Sequence, residues 1–583
     1  MRNGTGYYRF ANVDDFLNGN LPLSFALTYG YDGEENPAGI VDYNQFALYV
    51  QDDWQISDRF KLTYGVRGDI LAYDNSKIAT NPNILAYDLG GRSVDTGKYP
   101  QPRLQISPRI GFNWDIAGDK SVVLRGGTGF FQGRLPLVFF TNMPQNSGMI
   151  QGGANKGIYS TSLKNGVPVY TAENQRVLSS LMQNGKMVTD VKEMQKILNL
   201  PSSPSAESAG MGGQSYIAGV DPEFRMPQIW KTSLAVDYKF PTSFPFTITA
   251  EGMFNKVIYG ATIHDWSVND NKANKHFRGP DSRINYAACD PEKLYYGNYH
   301  AYVMTNTTEG WGYTANVTVN MTPAKNLDLM LAYTRTESKE ISGMPGSAPE
   351  SVYTGLYTVN GGNFPDLQRS QYVVPDKLIG SVNYFIPFKA FHGRGLHLNL
   401  FYTGMSANGN SYVYSNDMNG DGNNADLIYI PASPTEIAFK TTADQAAFWQ
   451  FVNQDPYLKS HKGQYAEAYA ARAPWLHRFD ARIAEDFCFK AGKTTHNFQL
   501  SVSIDNIGNL FNSNWGVTRL STYQTSYSGA SGILKYEGIN ENNRPVFSMN
   551  KVDGAYPTES YANYIKTSTQ CWQILFGLKY FFN

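Results

Sequence analysis

The chain closes on CWQILFGLKYFFN, and this alternation limits what it can fold into more than any other feature. Trp572, Ile574, Phe576, Leu578, Tyr580 and Phe582 are apolar; Gln573, Gly577, Lys579 and Asn583 lie between them, interrupted by Leu575 and Phe581. A period of two describes a strand with one oily face and one mostly polar face. The oily face must meet a protein core or lipid.

The pattern recurs along the chain. In KLTYGVRGD, Leu62, Tyr64 and Val66 alternate with Thr63, Gly65, Arg67 and Asp69. In YTANVTVNM, Tyr313, Ala315, Val317, Val319 and Met321 alternate with Thr314, Asn316, Thr318 and Asn320. In GLHLNLFY, Leu396, Leu398, Leu400 and Tyr402 share a face. In FQLSVSID, Phe498, Leu500, Val502 and Ile504 oppose Gln499, Ser501, Ser503 and Asp505. Roughly sixteen such strands, with little helical pattern between them, predict an all-β antiparallel transmembrane β-barrel with a wet interior. A soluble sandwich also alternates and is the competing reading.

Size and composition fit the barrel. A chain of 583 residues exceeds what one compact core holds. A barrel adds strands around a ring and needs no thick core. Aromatics are 14% of residues, with 40 tyrosines, as interfacial girdles require. No apolar run is long enough for a transmembrane helix. The net charge of −1 gives no electrostatic footprint for nucleic acid. Cys289, Cys488 and Cys571 form neither a metal spacing nor a disulfide framework. The opening MRNGTGYYRF is no signal peptide. The chain is therefore cytosolic, or its beginning lies upstream.

Connections come in two sizes. Ala117-Gly118-Asp119-Lys120 is a tight turn, and Thr322-Pro323-Ala324-Lys325 and Phe240-Pro241-Thr242-Ser243 are proline corners. Long segments run from about Leu135 to Pro222 and from about Gly404 to Pro474. Short turns on one side and long external loops on the other are the outer-membrane arrangement. Thr171 to Leu200 reads as helical, broken near Gly185 and stopped by Pro201. Thr442-Ala443-Asp444-Gln445 opens a second helix through Phe448, Trp449 and Phe451. The loops thus carry short helices, as a lid or as packing against the rim.

One loop holds a candidate metal site. Asp417, Asn419 and Asp421 stand at the first, third and fifth places of a calcium-type loop, with Gly422 at the sixth. Asn423 supplies a backbone carbonyl. Ile428 occupies the twelfth place, where a bidentate Glu is usual, and Asp426 is the substitute. The alternative is that Asp, Asn and Gly simply make turns. No enzyme signature appears. Gly127-Thr128-Gly129 sits in a strand pattern rather than before a helix. Asp480 and Arg482 alternate with Phe479, Ala481 and Ile483, and line either a solute path or simply a wet lumen.

Together these segments resemble a known family. YVQDDWQISDRFKLTYGVRGDI and SPRIGFNWDIAGDKSVVLRGGTGFFQGR resemble successive hairpins of TonB-dependent outer-membrane receptors. DPYLKSHKGQYAEAYAARAPWLHRFDARIAEDF, SVSIDNIGNLFNSNWG and WQILFGLKYFF resemble the last strands of the Oar-like branch, typical of Bacteroidetes-type bacteria. The resemblance implies several expectations. The chain, residues 1–583, is a carboxy-terminal portion of a barrel of about 22 strands, with plug and N-terminal domain absent. It lies in the outer membrane among lipid. Gly577, Tyr580 and Phe582 form the signal read by the barrel-assembly machinery, with Leu575 and Asn583 as departures. Function is TonB-dependent uptake of a ligand bound at external loops, with TonB contacted through the missing N-terminal part. Calcium is the one candidate cofactor. Alternatives are a passive porin, or a surface-binding or assembly protein anchored by the barrel. The strand near Leu21 to Tyr31 is expected to be the first in the sheet.

Overall fold

Strand-length alternation becomes one very large antiparallel sheet. The computed structural model describes residues 4, 6–134, 136–153, 159–164, 167–205, 216–387, 393–406, 408–524, 528–564 and 570–582. Leu135 and Asn583 lie outside the described residues. The sheet runs through β1 (Asp42–Ser57), β2 (Phe60–Asp74), β3 (Leu104–Asp115), β4 (Val122–Gln132) and β5 (Gln228–Lys239). It continues through β6 (Phe246–Asp265), β7 (Gly310–Ala324), β8 (Leu327–Glu340), β9 (Asp376–Ile386) and β10 (Gly393–Met405). It ends with β11 (Leu476–Ala491), β12 (Thr494–Asp505) and β13 (Gln573–Phe581). Each strand pairs with the next in sequence. Sixteen strands are hydrogen-bonded into the sheet, but three of them, Tyr216–Val220, His300–Thr307 and Gln368–Arg369, belong to loops, so the ladder has thirteen strands where about sixteen were expected. Among the described residues, the outer edges of β1 and β13 pair with nothing.

The two faces divide as the alternation requires. On the outer face Leu500, Val502 and Ile504 of β12 stand opposite Leu578, Phe576 and Ile574 of β13. Leu578 is 72% exposed and Phe576 is 74% exposed. In water such a surface would cost roughly 25 cal/mol for each Å² of apolar area left wet, whereas lipid covers it. On the inner face Gln499, Ser501 and Ser503 face Lys579, Gly577 and Leu575. Leu575 is the one apolar intruder in that ladder.

Hairpin ends alternate between short and long. Odd-to-even connections are brief, such as 58–59, 116–121 and 325–326. Asp115 closes the turn before β4 by accepting from the Gly118 and Lys120 amides at 2.8 and 3.1 Å. Gly118 takes φ +86° there, which glycine adopts without Cβ strain. Even-to-odd connections are long: 75–103, 133–227, 266–309, 341–375, 406–475 and 506–572. The sequence singled out two of these six.

The long loops have cores of their own. Gly409–Tyr414 pairs in parallel with Ala530–Ile539, joining the last two loops. Tyr412, Tyr414, Leu427, Ile428, Phe448, Phe451 and Phe547 are buried together. The expected helices form as Ala172–Ser180, Val191–Ile197 and Thr442–Gln454. A small hairpin, Met182–Gln183 with Lys186–Met187, fills the break near Gly185.

One expectation is corrected. Leu21 to Tyr31 is not a strand of the large sheet. It splits into Ser24–Ala26, paired with Tyr7–Arg9, and Thr28–Gly30, paired with Gln151–Gly153. Phe25, Leu27, Tyr29 and Tyr31 are buried against Val177, Leu178 and Met194 of the loop helices. Alternation specifies an oily face but not what covers it, and here the cover is protein.

Candidate functional site

The inner face is a continuous polar wall whose charges are mostly matched. Arg67 donates from Nε and Nη2 to the two Asp69 oxygens, both at 2.8 Å. Arg125 reaches Asp237 at 3.1 Å and Glu251 at 3.6 Å. Lys61 lies 3.2 Å from Asp53. Across the sheet, Arg482 donates to Gln499, Gln499 donates to Asp486, and His397 contacts Asp486, each at 2.8 Å. Asp480 and Arg482 therefore do line the inner face, but not as a pair. Asp480 accepts from Arg478 at 2.9 Å and from the Asn506 amide at 2.7 Å.

The same wall has a hollow of about 470 Å³ over β1 to β6. Its floor is glycine. Thr63, Gly111, Gly127 and Ser233 form one cross-strand row. Gly65, Arg109, Gly129 and Lys231 form the next. A Cβ on Gly127 would lie 2.7 Å from the Ile110 carbonyl oxygen, so a side chain there would collide with the neighbouring strand. Gly127 and Gly129 thus sit in β4, as strand glycines. Sequence reading passed over the hollow. Its one local signal was the repeated glycine on the polar phase of neighbouring strands.

The candidate calcium loop is a half-buried turn closed by its own side chains. Asp417 accepts from the Gly420 and Gly422 amides at 2.6 and 2.9 Å. Asn419 accepts from the Asp421 amide, and Asp421 from the Asn423 amide, each at 2.8 Å. Asp426 accepts from the Met418 amide at 2.8 Å and faces Arg283 Nη1 at 3.6 Å. Arg283 is fully buried, donates to Asp281 at 2.8 Å, and lies over the Tyr414 ring. Burial pushes the Asp421 carboxyl up to about 6. Burial pushes Asp426 up to about 7, against the pull of Arg283. Among the described residues, no group of three or more His, Cys, Asp or Glu converges as metal ligands do.

The proposed assembly signal lies on and just beyond the last strand. Gly577 faces inward, where a Cβ would meet Ser501 Oγ at 2.7 Å. Tyr580 packs outward on Phe498, with 4.7 Å between ring centroids, and bonds His496 at 2.7 Å. Phe582 follows, edge-on to Tyr580 at 4.5 Å.

A sheet with a lipid-type outer face, a wet inner face and loops gathered at one end has a family counterpart. The sequence matches the family described as outer membrane beta barrel domain over residues 2–532. The chain belongs to that family. This outer-membrane barrel domain is therefore placed in the cell outer membrane, crossing lipid with strands. None of the curated proteins matches it. Among solved structures it is similar to the ferric enterobactin receptor PfeA of Pseudomonas aeruginosa, solved as a mutant. Identity there is 10%, covering 82% of this chain and 40% of that one, with a TM-score of 0.36. It is similar to the outer membrane transporter YddB of Escherichia coli at 11% identity, covering 96% and 50%, with a TM-score of 0.40. It is similar to the siderophore receptor PiuA of Acinetobacter baumannii at 8% identity, covering 96% and 44%, with a TM-score of 0.34. The barrel domain spans half or less of these structures' length, and likenesses this distant do not bear on its ligand.

Proposed function

We propose that this chain is the barrel portion of an active outer-membrane transporter of the TonB-dependent type, in its Oar-like branch. The observation that carries the proposal is the loop end. Loops 406–475 and 506–572 share a buried aromatic core, so that end is a folded surface rather than a fringe. A folded surface can bind a ligand selectively, and the matched polar wall below gives the solute a wet route. Energy comes from the inner membrane through TonB, contacted by a polypeptide part upstream. Gly577, Tyr580 and Phe582 address the chain to the barrel-assembly machinery. The turn from Asp417 to Asp426 holds calcium, with Asp421 and Asp426 as the buried carboxylates whose charge the ion would relieve.

Conductance tests the main reading. The protein as produced in its own outer membrane is reconstituted into planar bilayers in potassium chloride. The expected result is no steady ion current without ligand. A stable, ohmic, ligand-independent current would establish the passive porin instead. Surface adhesion that survives deletion of TonB, with no uptake in either strain, would establish the anchored binding protein. Calcium is tested by limited proteolysis of the 406–475 loop. Faster cleavage after chelation is expected; identical cleavage leaves the turn with a purely structural role.

A further inference from the structure

The inner wall has a local imbalance of charge at the glycine-floored hollow. Arg109 and Lys231 lie in one cross-strand row, separated only by Gly129. Both approach the same ring. The Arg109 guanidinium carbon is 4.5 Å from the Phe131 centroid, and Lys231 Nζ is 5.8 Å from it. Neither has a carboxylate within ion-pair distance among the described residues. Their neighbours do. Arg67 fills both oxygens of Asp69, Arg125 takes Asp237 and Glu251, and Lys61 takes Asp53. An aromatic face holds a cation through its quadrupole but leaves the N–H donors unused. A guanidinium has five of them in a planar fork, the shape that grips a carboxylate or phosphate.

The space above these cations is built. Gly65, Gly111, Gly127 and Gly129 remove four side chains from the floor, and Met253 and Phe131 line it. Arg109 also borders two adjoining hollows of about 190 and 300 Å³, so it stands where three spaces meet. The volume of the main hollow is that of a small-molecule site. Solvated cations on a wet wall would need neither the glycines nor the shared ring.

We propose that Arg109, Lys231 and Phe131 form a binding site in the lumen wall for a small oxyanion, a carboxylate- or phosphate-bearing solute held by the Arg109 fork. The site deepens the transporter reading and rests on it for its role, as a station for a solute that has passed the loops. Its source is a diffusible solute rather than a carboxylate of a polypeptide segment packed in the lumen.

The test is calorimetric titration of the protein, extracted whole from its outer membrane, with citrate and with inorganic phosphate; glycerol is the uncharged control. Saturable binding of an anion and none of glycerol is expected. Arg109→Gln and Lys231→Gln should each weaken it about tenfold or more, the loss of one charged hydrogen-bonding partner. Lys231→Arg should restore it, which a merely structural lysine would not require. Detergent-gel migration before and after heating verifies that each variant is folded. Lys120→Gln, in the short 116–121 turn, should bind as the parent does.

Absence of anion binding by the parent overturns the site, as does binding by both Gln variants as tight as the parent's. Unchanged solute binding with lowered thermal stability in Arg109→Gln would assign the cations to a polypeptide carboxylate, which also overturns the proposal. Potassium conductance is recorded on the same samples. Anion binding in a protein with steady open conductance would sink the active-transport reading and keep the site. A closed, TonB-dependent protein with no anion binding would do the reverse.

Discussion

Asp426 shows what one residue can do in two settings. In the sequence it is the end of an acidic, glycine-rich run. In the fold its carboxyl caps the turn at Met418 and faces the buried Arg283. Burial raises its folded pKa to about 7, so the folded loop holds the proton more tightly than the unfolded chain. A raised acid stabilises the fold least when ionised, so stability from this group falls as pH rises between about 4 and 7. We expect the 406–475 loop, without divalent cations, to resist proteolysis better at about pH 5 than at about pH 8. Asp426→Asn should lessen that dependence, the raised Asp421 carboxyl supplying what remains. A pH profile of Asp426→Asn that matches the parent would refute the assignment. At Gly127 the constraint is steric. Gly127→Val should destabilise the sheet by about 1–3 kcal/mol through overpacking, seen as a lower temperature of heat-induced unfolding on detergent gels. An unchanged transition would show that the wall yields.

At the scale of elements, strand and loop helix rest on different causes. A strand here is fixed by its two environments. Cysteine placed at Val502 should react with a lipid-soluble reagent, and cysteine at Ser503 with a water-soluble one, after replacement of Cys571, which is exposed, and Cys488. Reversed reactivity would invert the faces of β12 and, through register, of β13. The helix Thr442–Gln454 rests on its cap and on Phe448 and Phe451 in the loop core. Thr441 accepts from the Asp444 amide at 3.0 Å. Thr441→Ala should cost about 1 kcal/mol locally, and hydrogen exchange over the helix should quicken while that of β10 and β11 does not. The period of two and the helix itself were readable in sequence because both are local, although the cap is Thr441, one residue before the start read at Thr442. The strand expected at Leu21 to Tyr31 was misplaced because its phase is right for either a barrel or a loop core.

Across the whole molecule, the ladder has a parity. Strands β1 to β13 are antiparallel neighbours throughout, and β1 and β13 carry odd numbers, so both edges run in the same direction. Joining them directly would make a parallel seam, whereas single-chain bacterial barrels close with even strand counts. Unpaired edges in lipid leave amides and carbonyls with no water to satisfy them. We therefore expect residues 1–583, refolded in detergent, to lack the heat-resistant migration of a closed barrel, and a form supplying an odd number of further strands to regain it. A heat-resistant, protease-resistant barrel from residues 1–583 alone would defeat this and strengthen the porin reading.

The sequence by itself determined the alternating strands of the ladder with their oily and wet faces, and two of the six long loops. Those follow from alternation and turn chemistry, which act within a few residues. Only the tertiary structure decided which partner each inner charge received. Arg67 and Asp69 are two apart in the chain and could be guessed as a pair. Arg109, Phe131 and Lys231 come together only through the register of β3, β4 and β5, and Arg283 meets Asp426 across two loops. Register and loop packing are set by contacts between segments far apart in sequence, and no local pattern encodes them.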